Sequence, residues 1–207
     1  MSVRSGFLVA IEGQSGVGKS TAARLVYEEL QRLGRQVLLT RTPSPSKIGT
    51  FARAETFGLR GLELALLVAA DRYHHERTVI RPAVADGAIV VCDRYLASAL
   101  VLDPFDGVAP GLVRTIYQRL PPAGLTIILR GDPEMCAARI AARGFHSRFH
   151  SADPQVNERE RAAYGGVVEE LRRGGCSAVV HEVGSAAATT VAATAVAHIL
   201  EYEECGP

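Results

Sequence analysis

The chain has no tryptophan and only two methionines, and just two of its 23 basic residues, Lys19 and Lys47, are lysines; the rest are arginines. Almost every cation is therefore a planar fork that grips phosphate or carboxylate through paired N–H groups. Cysteine is sparse: Cys92, Cys136, Cys176 and Cys205 form no CxxC pair and have no metal-ligand spacing. That argues against a disulfide scaffold or a zinc module, and free thiols in a reducing cytosol are the simplest account. Neither sign of charge is in excess, the formal net charge being +1, so nothing pulls the whole molecule toward nucleic acid or anionic membrane. No apolar run is long enough to cross a bilayer. No apolar leader or cleavage site precedes the first strand, so no secretory signal is visible. The expectation is a cytoplasmic protein with no nucleic-acid or membrane partner.

Hydrophobic residues make up 47% of the chain and charged residues 22%, an ordinary globular balance. At 207 residues a single domain, 1–207, is expected, with room for a sizeable core. Short apolar, β-branched runs at 7–11, 36–40, 88–92, 126–129 and 178–183 read as strands buried on both faces. Helical patterns alternate with them. Residues 20–33 put Ala22, Leu25, Val26, Leu30 and Leu33 on one side and end at Gly34. Residues 62–77 are strongly apolar in their first half, and 186–203 are alanine-rich. Asp132-Pro133-Glu134 reads as an N-cap, a first-position proline and an acid at the positive pole. The βα alternation implies an α/β fold, a doubly wound parallel five-stranded sheet with helices on both faces. Residues 41–50 and 144–155 read as loops.

The most informative segment is residues 6–21, GFLVAIEGQSGVGKST. An apolar strand runs into Gly13-x-x-x-x-Gly18-Lys19-Ser20, followed by a helix, which is the setting a phosphate-binding P-loop requires. Glycines let the backbone wrap close to a polyphosphate. The N–H groups of Gly13, Gln14, Ser15, Gly16, Val17, Gly18, Lys19, Ser20 and Thr21, together with the new helix's N-terminus, are positioned to receive ATP phosphates. Lys19 reaches the terminal phosphates, and the Ser20 hydroxyl suits Mg²⁺. The plainer reading, a glycine-rich connector, leaves the GKS ending without a purpose.

Other P-loop classes fit poorly. A guanine-reading NKxD segment is absent, as is an LSGGQ signature. Instead, arginines stand near the carboxyl ends of the predicted strands: Arg41 after the second and Arg94 after the third, within Asp93-Arg94-Tyr95. Arg72 lies on the intervening helix, and Arg139, Arg143 and Arg148 come later, in a short arginine-bearing lid at about 139–157. Bringing two polyanions together calls for several cations, and arginine supplies geometry as well as charge.

With these segments in place, the chain resembles the thymidylate kinase family of P-loop nucleoside monophosphate kinases. The resemblance rests on EGQSGVGKST (12–21), TRTP (40–43), LLVAADRYHH (66–75), IRPAVADGAIVVCDRYLASAL (80–100) and the arginines of 139–148. It runs from residue 6 to about 185. It implies transfer of the ATP γ-phosphoryl group to a nucleoside monophosphate, with Mg²⁺, and a homodimer. By the same resemblance Arg41 and Arg94 hold the acceptor phosphate, Asp93 sits near Mg²⁺ beside Ser20, and Arg72 reads the acceptor base. Lys19, Arg143 and Arg148 stabilise the transferring phosphoryl group.

The departures from that family's pattern fall mainly on the acceptor side. Ser15 stands where the family's P-loop usually carries an acid, and Thr42 replaces the Glu of an REP triplet. Val68 stands where an aromatic residue stacks on thymine, and Leu102-Asp103 where Tyr-Gln is usual. Val68 offers no π face, and an ionised Asp103 only accepts hydrogen bonds. The acceptor is therefore expected to be dTMP by default, with a different or modified pyrimidine nucleotide left open. The alternative is a kinase acting on a nucleoside hydroxyl or a small metabolite in a specialised, antibiotic-type pathway. Such an acceptor calls for a base. The Arg41-Thr42-Pro43 segment offers no carboxylate, which leaves Asp93 or Asp71. A non-catalytic nucleotide-binding regulator is a third reading, against which intact Lys19 and Asp93 argue. The histidines at 74–75 and 146–150 read as surface residues, and the run 158–161 as a solvated helical face.

Overall fold

A computed structural model describes residues 6–205. Five strands form one parallel sheet: β1 (Phe7–Gly13), β2 (Val37–Arg41), β3 (Ile89–Asp93), β4 (Leu125–Arg130) and β5 (Ser177–Glu182), in the order β2-β3-β1-β4-β5. The α/β doubly wound expectation holds. Each apolar run became a strand within two residues of its expected ends.

Period-two alternation on β1 explains the two covered faces. Val9 and Ile11 point to one side. There they meet Ala22, Val26 and Leu30 of α1 (Lys19–Arg32) and Val191, Ala195 and Ile199 of α9 (Ala188–Cys205). Leu8 and Ala10 point to the other, with Ala65 and Ala69 of α3 (Leu62–His75) and Val113 and Tyr117 of α6 (Pro110–Tyr117). Ile128 and Ala178 extend that face under α5 (Leu96–Phe105) and α8 (Pro154–Arg173). Cys92 is fully buried here as a small core residue.

Two segments differ from expectation. Residues 41–50 do not stay irregular: α2 (Lys47–Ala54) begins inside them, capped by Ser46, whose Oγ accepts from Gly49 N at 3.1 Å. The helix at 62–77 extends beyond α3 through a π turn, Glu76–Ile80, into α4 (Arg81–Ala85). The start of α7 (Pro133–Arg143) is as the sequence predicts. Asp132 accepts from Met135 N at 2.9 Å, and Gly144 ends the helix.

Because β1 lies between β3 and β4, the connection out of β1 to β2 and the connection out of β3 to β4 run toward opposite edges of the sheet. The crevice this opens lies at the strands' carboxyl ends, where ligands bind in open α/β sheets. The loop at 14–18 and the residues after β2 and β3 therefore share one rim.

Candidate active site

The donor side begins with the P-loop seated on the sheet. Gly13 and Gly16 have positive φ, and a Cβ on them would run into the carbonyl oxygens of Leu129 and Cys136. Only glycine lets the loop lie this close to β4 and α7. Gln14 faces inward: its Nε2 donates to Gly131 O at 3.0 Å, and its Oε1 accepts from Gly131 N at 3.3 Å. Gly13, Gln14 and Val17 thus support the loop from below, whereas Ser15, Gly16, Gly18, Lys19, Ser20 and Thr21 line a cleft of about 550 Å³. Lys19 is 5% exposed, and its Nζ donates to Gln14 O at 2.6 Å. Burial, with Arg94 alongside, lowers its pKa to about 7.

Ser20 Oγ donates to Asp93 Oδ2 at 2.5 Å, joining the start of α1 to the end of β3. The other carboxylate oxygen, Asp93 Oδ1, is buried without a partner. A hydroxyl and a half-satisfied carboxylate fit one edge of a Mg²⁺ shell, which takes few protein ligands and fills the rest with phosphate and water. Among the described residues no cluster of three or more His, Cys, Asp or Glu forms a metal cage.

The residues expected to hold an acceptor, Arg41, Val68, Arg72, Arg94 and Asp103, line the same cleft as the P-loop. Arg94 has φ 69, a left-handed conformation that side chains rarely adopt. A network holds it there. Glu12, wholly buried, accepts from Tyr95 N at 2.7 Å, Ser98 N at 3.1 Å and Ser98 Oγ at 2.5 Å. Ser98 Oγ and Tyr164 OH in turn accept from Arg94 Nη1 at 3.1 and 3.5 Å. The guanidinium is aimed by hydroxyls and stays available to an anion.

Arg72 is buried and lines the cleft with Val68 and Leu64, donating to Tyr117 OH at 2.6 Å with its guanidinium carbon 5.2 Å from that ring's centroid. Its Nε and the Oδ2 of Asp103 are both buried without partners. An unpaired donor and an unpaired acceptor on one wall suit a base edge that offers a carbonyl and an N–H. Burial raises Asp103 from 3.8 to about 6, against the pull of Arg72. Its native pKa lies above the unfolded value, so the fold prefers the protonated form. Stability is lost as pH rises from about 3.8 to about 6. Asp103→Asn should therefore melt higher than the native protein at pH 7.5, with the gain shrinking as pH falls through that window. Thermal unfolding at pH 7.5 and pH 4.5 checks this.

The lid departs from expectation in part. Arg143 lines the cleft with His146, Ser147, Phe149 and His150. Arg148, expected with Arg143 to be a lid arginine that closes on ATP, pairs here with Asp106 at the end of α5 and stacks 4.7 Å over Phe149. Asp106 also accepts from Gly61 N at 2.5 Å, so this pair ties the lid to the acceptor wall. Arg139 is exposed on α7.

Several residues escaped the sequence reading. Within 158–161, Glu158 and Arg161 do form a surface pair at 2.8 Å. Glu160, however, is 3% exposed and accepts from Ser15 N at 3.0 Å and Ser15 Oγ at 3.3 Å. An acid thus reaches the P-loop from α8. Arg53 lines the cleft and donates to Pro43 O. His75 is buried against Thr40 Oγ1 at 2.7 Å, not a surface residue. Asp71, a candidate base on sequence grounds, is fully buried and occupied by Ser44 N, Ser44 Oγ and Ser46 Oγ at 2.6, 2.5 and 3.0 Å. It shapes the segment after β2 and takes no proton from a substrate.

Residues 11–173 match the Thymidylate kinase family. The chain belongs to the thymidylate kinase family. It is 38% identical over 180 residues to the thymidylate kinase of Leifsonia xyli subsp. xyli, covering 82% of this chain and 85% of the relative. It is 38% identical over 177 residues to that of Clavibacter sepedonicus, covering 79% and 82%. A probable thymidylate kinase of Caldivirga maquilingensis shares 37% over 145 residues, covering 68% and 71%. The match to the thymidylate kinase family spans the P-loop, both arginine-bearing strand ends and the lid.

Proposed function

We propose that this protein is an ATP-dependent thymidylate kinase that transfers the γ-phosphoryl group of ATP to the phosphate of dTMP, working as a single kinase domain. The observation that carries this reading is the shared cleft: a P-loop with Lys19 on one wall, and Arg94, Arg72 and Arg41 on the other. Family membership supports the nucleotide acceptor.

In the reaction, the backbone N–H groups of 16–21 and Lys19 cradle the ATP phosphates. Arg94, with Arg41, orients the acceptor phosphate so that its oxygen attacks the γ-phosphorus in line with the departing ADP oxygen. The acceptor is already an anion, so no side chain need act as a base. This disfavours the hydroxyl-directed alternative, since Asp71 is sealed and Asp93 is engaged by Ser20. Ser20 and Asp93 would hold Mg²⁺, which when bound neutralises phosphate charge. Arg143 adds positive charge from the lid, and closure of 144–153 excludes the water that would otherwise hydrolyse ATP. Val68 and Leu64 present apolar surface to the acceptor base, and Arg72 with Asp103 reads its polar edge.

A cytoplasmic location fits the four free thiols and the absence of a membrane-length apolar helix among the described residues. A homodimer is supported by exposed Leu62 and Leu66 on α3, at 44% and 50%, and by exposed Phe57, at 54%.

The test of this reading is an ADP-release assay over dTMP, dUMP, dCMP, dGMP and thymidine. Turnover is expected to be fastest with dTMP and negligible with thymidine. Preference for thymidine, or ADP release indifferent to any acceptor, would refute it.

A further inference from the structure

We propose that His150 is a phosphate-binding residue of the lid, donating from Nε2–H alongside Arg143 to one terminal-phosphate oxygen of ATP. The proposal rests on the kinase reading above for its reaction, though not for its binding test. It starts from a hydrogen bond the lid makes with itself: His146 N donates to His150 Nδ1 at 3.1 Å. An imidazole whose Nδ1 accepts, when neutral, carries its proton on Nε2. That Nε2 lies 3.5 Å from Arg143 Nη2, which also bears only protons. Two donors therefore converge without an acceptor between them. The contact is unfavourable by itself, and an anionic oxygen placed between them would satisfy both.

Position agrees with this. His150 and Arg143 both line the cleft that holds Lys19 and Arg94. The surroundings also keep the imidazole neutral. Burial comes first, then Arg143, Arg94, Lys19 and His146, and together they lower it to about 4. Before ATP binds, His150 adds a donor to the lid without adding another charge to a crowded cationic site. Among the described residues no three-residue metal cluster includes it, so a ligand role for the ring need not involve a metal.

Two substitutions separate donation from folding. In His150→Asn the amide oxygen stands near the place of Nδ1 and still accepts from His146 N, but its NH2 stands near the place of Cδ2 and no donor reaches the place of Nε2. In His150→Gln the amide nitrogen stands near Nε2 and donates, while the loop hydrogen bond is lost. Calorimetric titration with ATP and with inorganic tripolyphosphate reads binding, and kcat/KM with dTMP reads turnover. The expected result is that His150→Asn weakens both polyphosphates and lowers kcat/KM about 10- to 100-fold. His150→Gln should recover a large part of both. Unchanged polyphosphate binding in His150→Asn would overturn the proposal, as would a loss in His150→Gln equal to or larger than that in His150→Asn, since a histidine acting only through the loop bond to His146 N is replaced by Asn and not by Gln. If the native protein binds ATP with this pattern yet does not turn over dTMP, the His150 assignment stands and the dTMP-kinase reading falls.

Discussion

Lys19→Met is expected to lower kcat/KM for ATP by on the order of 10³-fold while leaving the melting temperature at or above that of the native protein. The activity loss follows from position. Lys19 opens α1 at the lip of the P-loop, is nearly buried, and shares the cleft with Arg94. In such a water-poor site a fixed cation opposes the charge of the transferring group far more effectively than it would in water. The stability argument has the opposite sign. A buried ammonium next to another cation carries a desolvation cost, seen in its lowered pKa. Methionine keeps the stem and removes that cost, losing the bond to Gln14 O. Steady-state kinetics with a matched thermal melt check both halves. A variant that is inactive because it is unfolded would show as a lowered melting temperature.

Arg94→Ala should cost about 10²- to 10³-fold in kcat/KM for the acceptor, with Arg94→Lys recovering only part. The backbone here is held at φ 69 whichever side chain it carries, because Arg94 N donates to Ile11 O at 3.0 Å and Arg94 O accepts from Thr42 Oγ1 at 2.9 Å. Strain of this kind persists where the surroundings over-determine it, and it aims the side chain. Lysine keeps the charge but not the fork that engages two phosphate oxygens and two hydroxyls together. The effect should appear with saturating ATP and leave ATP affinity within a few-fold. Initial rates against dTMP concentration, together with ATP titration of each variant, give both quantities. A loss confined to ATP affinity would place Arg94 on the donor side instead.

The parts that were legible in the sequence were those governed by local pattern. The five strands announce themselves as short apolar runs, and Gly13 to Ser20 has a spacing that only a phosphate cradle requires. Asp132-Pro133-Glu134 marks a helix start within three residues. What escaped depended on partners distant in sequence. Glu160 sits in a charged run that reads as solvent-facing, and only the docking of α8 onto Ser15, 145 residues earlier, buries it. His75 belongs to a pair that reads as surface until Thr40 closes over it. Helix α2 was hidden by the proline- and serine-rich approach to it, although Ser46 three residues before Gly49 is a cap signal that was available. The lid was located, but charge alone does not say which arginine faces the cleft. Asp106 draws Arg148 aside and leaves Arg143 there with His150.

The departures at Ser15, Val68 and Asp103 gain physical content from the same comparison. Glu160 brings a carboxylate to the P-loop from outside it. Val68 and Leu64 line the same cleft as Arg72 and give it apolar surface without a π face. Asp103 Oδ2 and Arg72 Nε are both buried and unpaired, which under the proposed function suits a base edge carrying an N–H and a carbonyl.

The most direct measurement is a chase of label from γ-³²P-ATP in the presence of dTMP and Mg²⁺, with products separated by charge. The account predicts that label leaves ATP only when dTMP is present and appears in dTDP, one molecule for each ADP formed. Label released as inorganic phosphate with no dTDP, or label carried onto thymidine in preference to dTMP, would contradict it.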